Sequence, residues 1–246
     1  MYIEEDGMRL YAELELPEGA GEKCPLVIMV HGITGHCEEP HILAAARAAR
    51  DCGYATLRAD LYGHGKSDGE FRNHTLYKWL NNLLTLIDYA RSLDFVTDLY
   101  LCGHSQGGLA VMLAAALKRD VIRGLIPLSP ATMIPSGARE GRVLRYRFDP
   151  EHVPEAITSS EGMVLNGNYF RVAQSIHVKE AIARYRGPVL ILHSDTDMTV
   201  PVRCAMEAAE AYQDCRLVIL SRDTHCYDLH PEKMTEALAQ WLTEHR

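Results

Sequence analysis

Strand-length apolar runs alternate with helix-length segments along most of this chain, and few architectures accept that order. Leu26–Val30 reads as a buried strand, followed by an alanine-rich helix near Ile42–Asp51 and a strand over Tyr54–Ala59. Leu76, Leu80, Leu83, Leu84 and Ile87 recur at helical spacing across Leu76–Leu93. Leu99–Cys102 is a short strand, Leu109–Leu117 a helix, and Val121–Leu128 and Val189–Leu192 are strands. Val202–Tyr212 reads as a helix, Leu217–Leu220 as a strand, and Pro231 opens a last helix ending near Trp241. Such alternation predicts an α/β chain: a mostly parallel central sheet with helices on both faces. Met8–Leu16 alternates strictly between apolar and polar residues, as a half-exposed antiparallel edge strand does.

One stretch breaks the rhythm. About 60 residues separate Leu128 from Val189, too many for a single crossover helix. Within it Arg142–Phe148 alternates weakly, Met163–Leu165 is apolar and Ser175–Arg186 is helical in pattern. The expectation is a core of residues 1–130 and 174–246 carrying an inserted cap, residues 131–173, over the end of the sheet. Charge narrows the partners. The 33 acidic against 25 basic residues give a net −8, without the basic excess of a nucleic-acid binder. No apolar run reaches the 18 or so residues of a membrane span, and the first residues lack the pattern of a signal peptide. Seven scattered cysteines, with no Cys-x-x-Cys pair, point away from a disulfide framework or structural zinc and towards a cytoplasmic protein.

The chemistry concentrates at Gly103-His104-Ser105-Gln106-Gly107, a G-x-S-x-G pentapeptide between the strand at Leu99–Cys102 and the helix from Leu109. A serine on such a sharp strand-to-helix turn is exposed for attack, and the flanking glycines let strand and helix pack without a Cβ clash. A serine hydroxyl needs a base to take its proton and a carboxylate to orient that base. Two later loops can supply them, both past carboxyl ends of strands, where ligands bind in open α/β sheets. His193-Ser194-Asp195-Thr196-Asp197 offers Asp195 or Asp197, between which spacing does not choose. Thr224-His225-Cys226 offers His225, with His230 as a rival that directly precedes Pro231. Backbone N–H groups of Gln106, after the serine, and of Ile33, in the His31-Gly32-Ile33 loop, are the expected donors to an oxyanion. The pair His31 and His36 lacks an H-E-x-x-H-type helix, so no metal or organic cofactor is expected.

These segments together resemble the α/β-hydrolase superfamily over essentially the whole chain. Asp60-Leu61-Tyr62-Gly63-His64-Gly65-Lys66-Ser67 is similar to a run found in monoacylglycerol lipases, lysophospholipases and several esterases. In that branch the acid lies in a pattern like D-x-x-V-P, which here selects Asp197 of Asp197-Met198-Thr199-Val200-Pro201. A narrower resemblance, to bacterial cinnamoyl (feruloyl) esterases, rests on Asn166-Gly167-Asn168-Tyr169-Phe170-Arg171 and on Thr224-His225-Cys226-Tyr227. It implies an insertion that forms the acyl pocket, with Tyr169 holding the hydroxyl of a 4-hydroxycinnamoyl group. The chain departs from the family where members carry an aspartate early in the cap. Ser136-Gly137-Ala138-Arg139-Glu140 has none, and Glu140 is the acidic residue of that region.

The resulting expectation is a serine carboxylester hydrolase of α/β-hydrolase fold acting on hydroxycinnamoyl (feruloyl-type) esters through an acyl-enzyme. Ser105, His225 and Asp197 are its catalytic residues, Ile33 and Gln106 its oxyanion donors, and Tyr169 and Glu140 its substrate contacts. The partner expected is a small hydroxycinnamate ester rather than nucleic acid or membrane, with a homodimer left open. Two alternatives stand beside it: a monoacylglycerol lipase-like or short-chain carboxylesterase, and a non-catalytic binding protein on a hydrolase scaffold. Aromatics Tyr146, Phe148, Tyr169 and Phe170 permit a flat acyl group. Arg139, Arg142, Arg145, Arg147 and Arg171 make the insertion locally basic, either as a solvated face or as an attraction for anionic fragments.

Overall fold

The computed structural model describes all residues 1–246. Its sheet has eight strands: β1 (Tyr2–Glu5), β2 (Met8–Glu15), β3 (Cys24–Val30), β4 (Ala55–Ala59), β5 (Val96–His104), β6 (Ile122–Leu128), β11 (Val189–Ser194) and β12 (Cys215–Leu220). They lie in the order β1-β2-β4-β3-β5-β6-β11-β12, antiparallel for the first three and parallel from β4 onward. Helices α1 (Pro40–Asp51), α2 (Leu76–Arg91), α3 (Gln106–Leu117), α7 (Arg203–Ala211) and α8 (Pro231–Glu244) follow successive strands. Side chains alternate across a strand, and neighbours on β3 duly enter different cores. Leu26, Ile28 and Val30 join the cluster packed by α2 and α3, whereas Val27 and Met29 join the one packed by α1 and α8. Helix α3 is buried all round, which is why its sequence shows no polar face.

Met8–Glu15 is not the edge strand its alternation predicts. Tyr2–Glu5 pairs outside it through the two-residue turn Asp6-Gly7, both residues having positive φ (45° and 79°). Asp-Gly between alternating runs is a hairpin signal, and the chain's first residues use it.

Between β6 and β11 the chain forms α4 (Ile134–Arg139), the hairpins β7 (Arg142–Val143)/β8 (Tyr146–Arg147) and β9 (Ala156–Thr158)/β10 (Val164–Asn166), then α5 (Gly167–Gln174) and α6 (Val178–Ile182). The weakly alternating Arg142–Phe148 run is thus a tight hairpin, turned by Leu144 at φ 47°. The helical pattern over Ser175–Arg186 yields only five helical residues. Ile134, Val143, Tyr146, Leu165, Tyr169 and Phe170 bury their side chains together with Leu76, Leu109 and Leu113 of α2 and α3. The segment between β6 and β11 therefore has no separate core and packs against α2 and α3. Its arginines are spent locally: Arg142 pairs with Glu140 and Arg145 with Glu161, while Arg139, Arg147 and Arg171 donate to backbone carbonyls.

Two buried histidines tie the loops behind β3 and β4 together. His31 donates Nδ1–H to Gly32 and accepts the Leu61 N–H at Nε2 (3.0 Å). His74 donates to the Phe71 carbonyl and packs against His64, Trp79 and Tyr169. Burial, then the like charge of His64, lowers both from 6.5 to about 3. An unfolded chain takes up these protons near pH 6.5 and the folded chain only near pH 3, so stability rises with pH between those values. The unfolding free energy from denaturant titration should fall as pH drops from 6.5 towards 4, by on the order of 1 kcal/mol per pH unit for each histidine. The His74→Gln variant should show a shallower slope, and an unchanged slope would contradict the assignment.

Candidate active site

Strand β5 runs through Gly103 and His104 to Ser105, which stands at φ 56°, ψ −117° as the first contact of α3. That is a costly conformation for an L-residue. Three backbone hydrogen bonds hold it: the Ser105 N–H donates to Leu128, and its carbonyl accepts from Leu109 and Ala131. The turn is also jammed against the β3 loop. A Cβ on Gly107 would lie 2.2 Å from the His31 carbonyl oxygen, and one on Gly32 would lie 3.0 Å from the Ser105 Cβ. Gly107 has no room for a side chain, and at Gly32 one would fit only if Ser105 shifted. Gln106 is the first residue of α3, so its N–H has no partner four residues back within the helix. The Ile33 N–H likewise donates to no other group of the chain.

The loop after β11 carries Asp197, whose side chain is fully buried. Its Oδ1 accepts the N–H groups of Thr199 (2.8 Å) and Val200 (2.9 Å), leaving Oδ2 to the histidines. His225 Nδ1 lies 2.6 Å from Oδ2. His193 Nε2, fully buried, lies 3.3 Å from Oδ2 and 2.9 Å from the Val200 carbonyl. Burial alone would raise the Asp197 carboxyl, but the hydrogen bonds from His193 and His225 prevail and hold it well below the usual carboxylate range. An ionised carboxylate only accepts, so His225 donates from Nδ1 and its Nε2 carries the bare lone pair. Asp195, the alternative by spacing, instead accepts the Arg222 N–H at 2.7 Å. His230 sits at the start of α8 beside Glu232, half-exposed.

The His225 loop is shaped by a residue that the spacing arguments do not mark. Asp223, 1% exposed, accepts N–H bonds from Thr224, Leu229 and His230. Asp60 does the same for the other wall, accepting from Cys37 (2.6 Å) and Lys66 (2.8 Å), while Ser67 Oγ donates to its carbonyl. The D-x-x-G-H-G-x-S run is thus an architectural clamp that fixes the loop bearing Gly32 and Ile33.

Ser105 and His225 line one cavity of about 390 Å³, with Gly32, Ile33, Leu144, Tyr146, Met163 and Met198 among its walls. Its size suits a small organic ligand. The insertion contributes through the β7–β8 turn and through Glu161 and Met163, with the Arg145–Glu161 pair at the lining. Two expected substrate contacts are not brought to this cavity. Tyr169 is wholly buried and donates to Gln106 Oε1 at 2.7 Å, behind the wall rather than in it. Glu140 is exposed and paired with Arg142. Tyr146 does line the cavity, together with His104 and Glu39, and its buried hydroxyl lies near Ser159. Weak alternation in its hairpin gave no sign of that position.

The chain matches the model of the serine aminopeptidase S33 family over residues 21–160. It is 53% identical to Est1E from Butyrivibrio proteoclasticus, whose structure holds ferulic acid. The two superpose with a TM-score of 0.98 over 100% of this chain and 98% of that one. Mouse mitochondrial palmitoyl-protein thioesterase ABHD10 is 26% identical over 74% of this chain, and rat monoglyceride lipase 28% identical over 59%. The chain spans 57% of the length of the first and 48% of the second.

Replacing the buried Asp223 by alanine removes the acceptor of three loop N–H groups, those of Thr224, Leu229 and His230. It should lower stability by about 2–3 kcal/mol in chemical denaturation, while the distant Asp149→Ala change should cost less than about 0.5 kcal/mol.

Proposed function

The chain belongs to the serine aminopeptidase S33 family of α/β hydrolases, and from that membership we propose that it is a serine esterase hydrolysing hydroxycinnamoyl esters through an acyl-enzyme. The observation that carries the substrate class is the full-length likeness to Est1E with ferulic acid bound. What supports the chemistry is a buried, ionised Asp197 holding His225 by Nδ1 beside a serine in the same cavity. Ser105 Oγ attacks the ester carbonyl as His225 Nε2 takes its proton, and Asp197 stabilises the imidazolium that forms. The N–H groups of Ile33 and Gln106 receive the oxyanion, a contribution of about 3–4 kcal/mol per donor. The alcohol leaves with the proton from His225. Water then attacks the acyl-enzyme by the same route, returning the acid and the free serine.

The flat walls offered by Ile33, Leu144, Tyr146, Met163 and Met198 fit an aromatic acyl group. In our reading the Tyr146 hydroxyl, rather than Tyr169, meets the phenol of the substrate, and residues 131–173 act as the cap that supplies it. Tyr169 steadies the Gln106 side chain from behind. Seven free cysteines suit a reducing cytoplasm, and no helix is long and apolar enough to cross a membrane.

Ser105→Ala should abolish hydrolysis of methyl ferulate, and wild-type protein should prefer that ester to a medium-chain monoacylglycerol. Retained activity in the variant would overturn the mechanism, and preference for the lipid would overturn the substrate class. Tyr146→Phe should raise KM for methyl ferulate about fivefold to tenfold, with little change for the unsubstituted cinnamate. An equal effect on both esters would exclude the phenol contact.

A further inference from the structure

Beside the Ser105 and His225 loops lies a cluster that ester hydrolysis leaves unused. His41 on α1, His104 at the end of β5 and Cys226 next to His225 each bring one ligand atom to within 4.8 Å of the others. Both imidazoles are 3% exposed. His104 Nε2 donates to the His225 carbonyl at 2.9 Å, which leaves its Nδ1 bare. That atom, His41 Nε2 and the buried Glu39 Oε2 make no hydrogen bond within the chain, and Glu39 Oε2 lies 3.9 Å from His41 Nε2. Buried polar atoms are usually paired, and three of the eight buried side-chain atoms left without a partner in this chain belong to His41, His104 and Glu39, beside Cys226.

We propose that His41, His104 and Cys226, with Glu39 as a fourth donor, form a site for a thiophilic divalent cation such as zinc, and that filling it switches hydrolysis off. Two imidazoles, a thiol and a carboxylate are the donor set of tetrahedral zinc. Bonds of about 2.0–2.3 Å place such ligand atoms about 3.3–3.7 Å apart, so the His41, His104 and Cys226 atoms would draw in from within 4.8 Å and the Glu39 carboxylate would swing in from beside His41. The His104 hydrogen bond to the His225 carbonyl is the kind of outer contact that fixes a metal-binding imidazole. Glu39, His104 and Cys226 all line the catalytic cavity, which provides the route in. Binding forms the metal–sulfur bond and releases the thiol proton to solvent.

The inhibitory consequence rests on the esterase reading; the binding does not. The His104 and His225 rings lie 4.6 Å apart. A dication held by His104 opposes the positive charge that His225 acquires during proton transfer. Zinc should therefore slow ester hydrolysis by about tenfold or more, the scale of a 1.4 kcal/mol loss of transition-state stabilisation.

The test titrates wild-type protein, Cys226→Ser and His41→Gln with cobalt(II), reading the sulfur-to-cobalt charge-transfer band, and with zinc, reading methyl ferulate hydrolysis. The expected result is a band saturating at one equivalent in the wild type, absent in Cys226→Ser and weakened in His41→Gln. Zinc inhibition should be lost in both variants. A wild type without the band, or a band surviving Cys226→Ser, overturns the site, since six other cysteines could then be its source. Equal inhibition of wild type and variants overturns the switch. A metal-free wild type that does not hydrolyse the ester counts against the esterase reading alone, because the band reports binding without turnover.

Discussion

The backbone at Ser105 is forced into a left-handed conformation by packing that leaves no alternative. The start of α3 packs so closely on the β3 loop that a side chain at Gly107 would collide with the His31 carbonyl, and one at Gly32 would crowd the Ser105 Cβ. Strain of this kind costs about 1–3 kcal/mol and persists only where the surroundings over-determine it. Here hydrogen bonds to Leu128, Leu109 and Ala131 supply the restraint. The same contact brings the Ile33 loop, the start of α3 and the serine to one point. The cavity, the proposed oxyanion donors and the packing of the β6–β11 segment on α3 all depend on it.

Around that point, buried carboxylates do the positioning. Asp60 clamps the wall that bears Ile33, Asp223 shapes the loop that bears His225, and Asp197 orients the His225 ring. Each is nearly or wholly inaccessible and is satisfied by several N–H groups, which is how a buried charge becomes tolerable. His193 completes the set by donating to both the Val200 carbonyl and Asp197. The imidazole at the cavity is thereby fixed in the tautomer a base requires.

Much of this was legible in the sequence, because it rests on local pattern. The parallel strands and their helices follow apolar periodicity, and the G-x-S-x-G turn sits where a strand meets a helix. The choice of Asp197 over Asp195 came from resemblance, and the separate roles of the two carboxylates are set by contacts with His225 and Arg222. What periodicity could not show is fixed by long-range packing. Tyr169 lies in a helix whose apolar face turns towards Gln106, and Tyr146 reaches the cavity only because Leu144 turns a two-strand hairpin. The outer strand Tyr2–Glu5 was missed although Asp6-Gly7 announces it, since four residues are too few to establish alternation. His193, His104 and Asp223 carry no local signal at all, their partners being distant in sequence or specific to the folded loop.

The central claim is covalent, and it is tested most directly by trapping. Wild-type protein mixed with methyl ferulate and quenched in acid should yield, on digestion and mass spectrometry, a feruloyl group on the peptide containing Ser105. Turnover with no acylated peptide, or acylation at a different residue, would contradict the account.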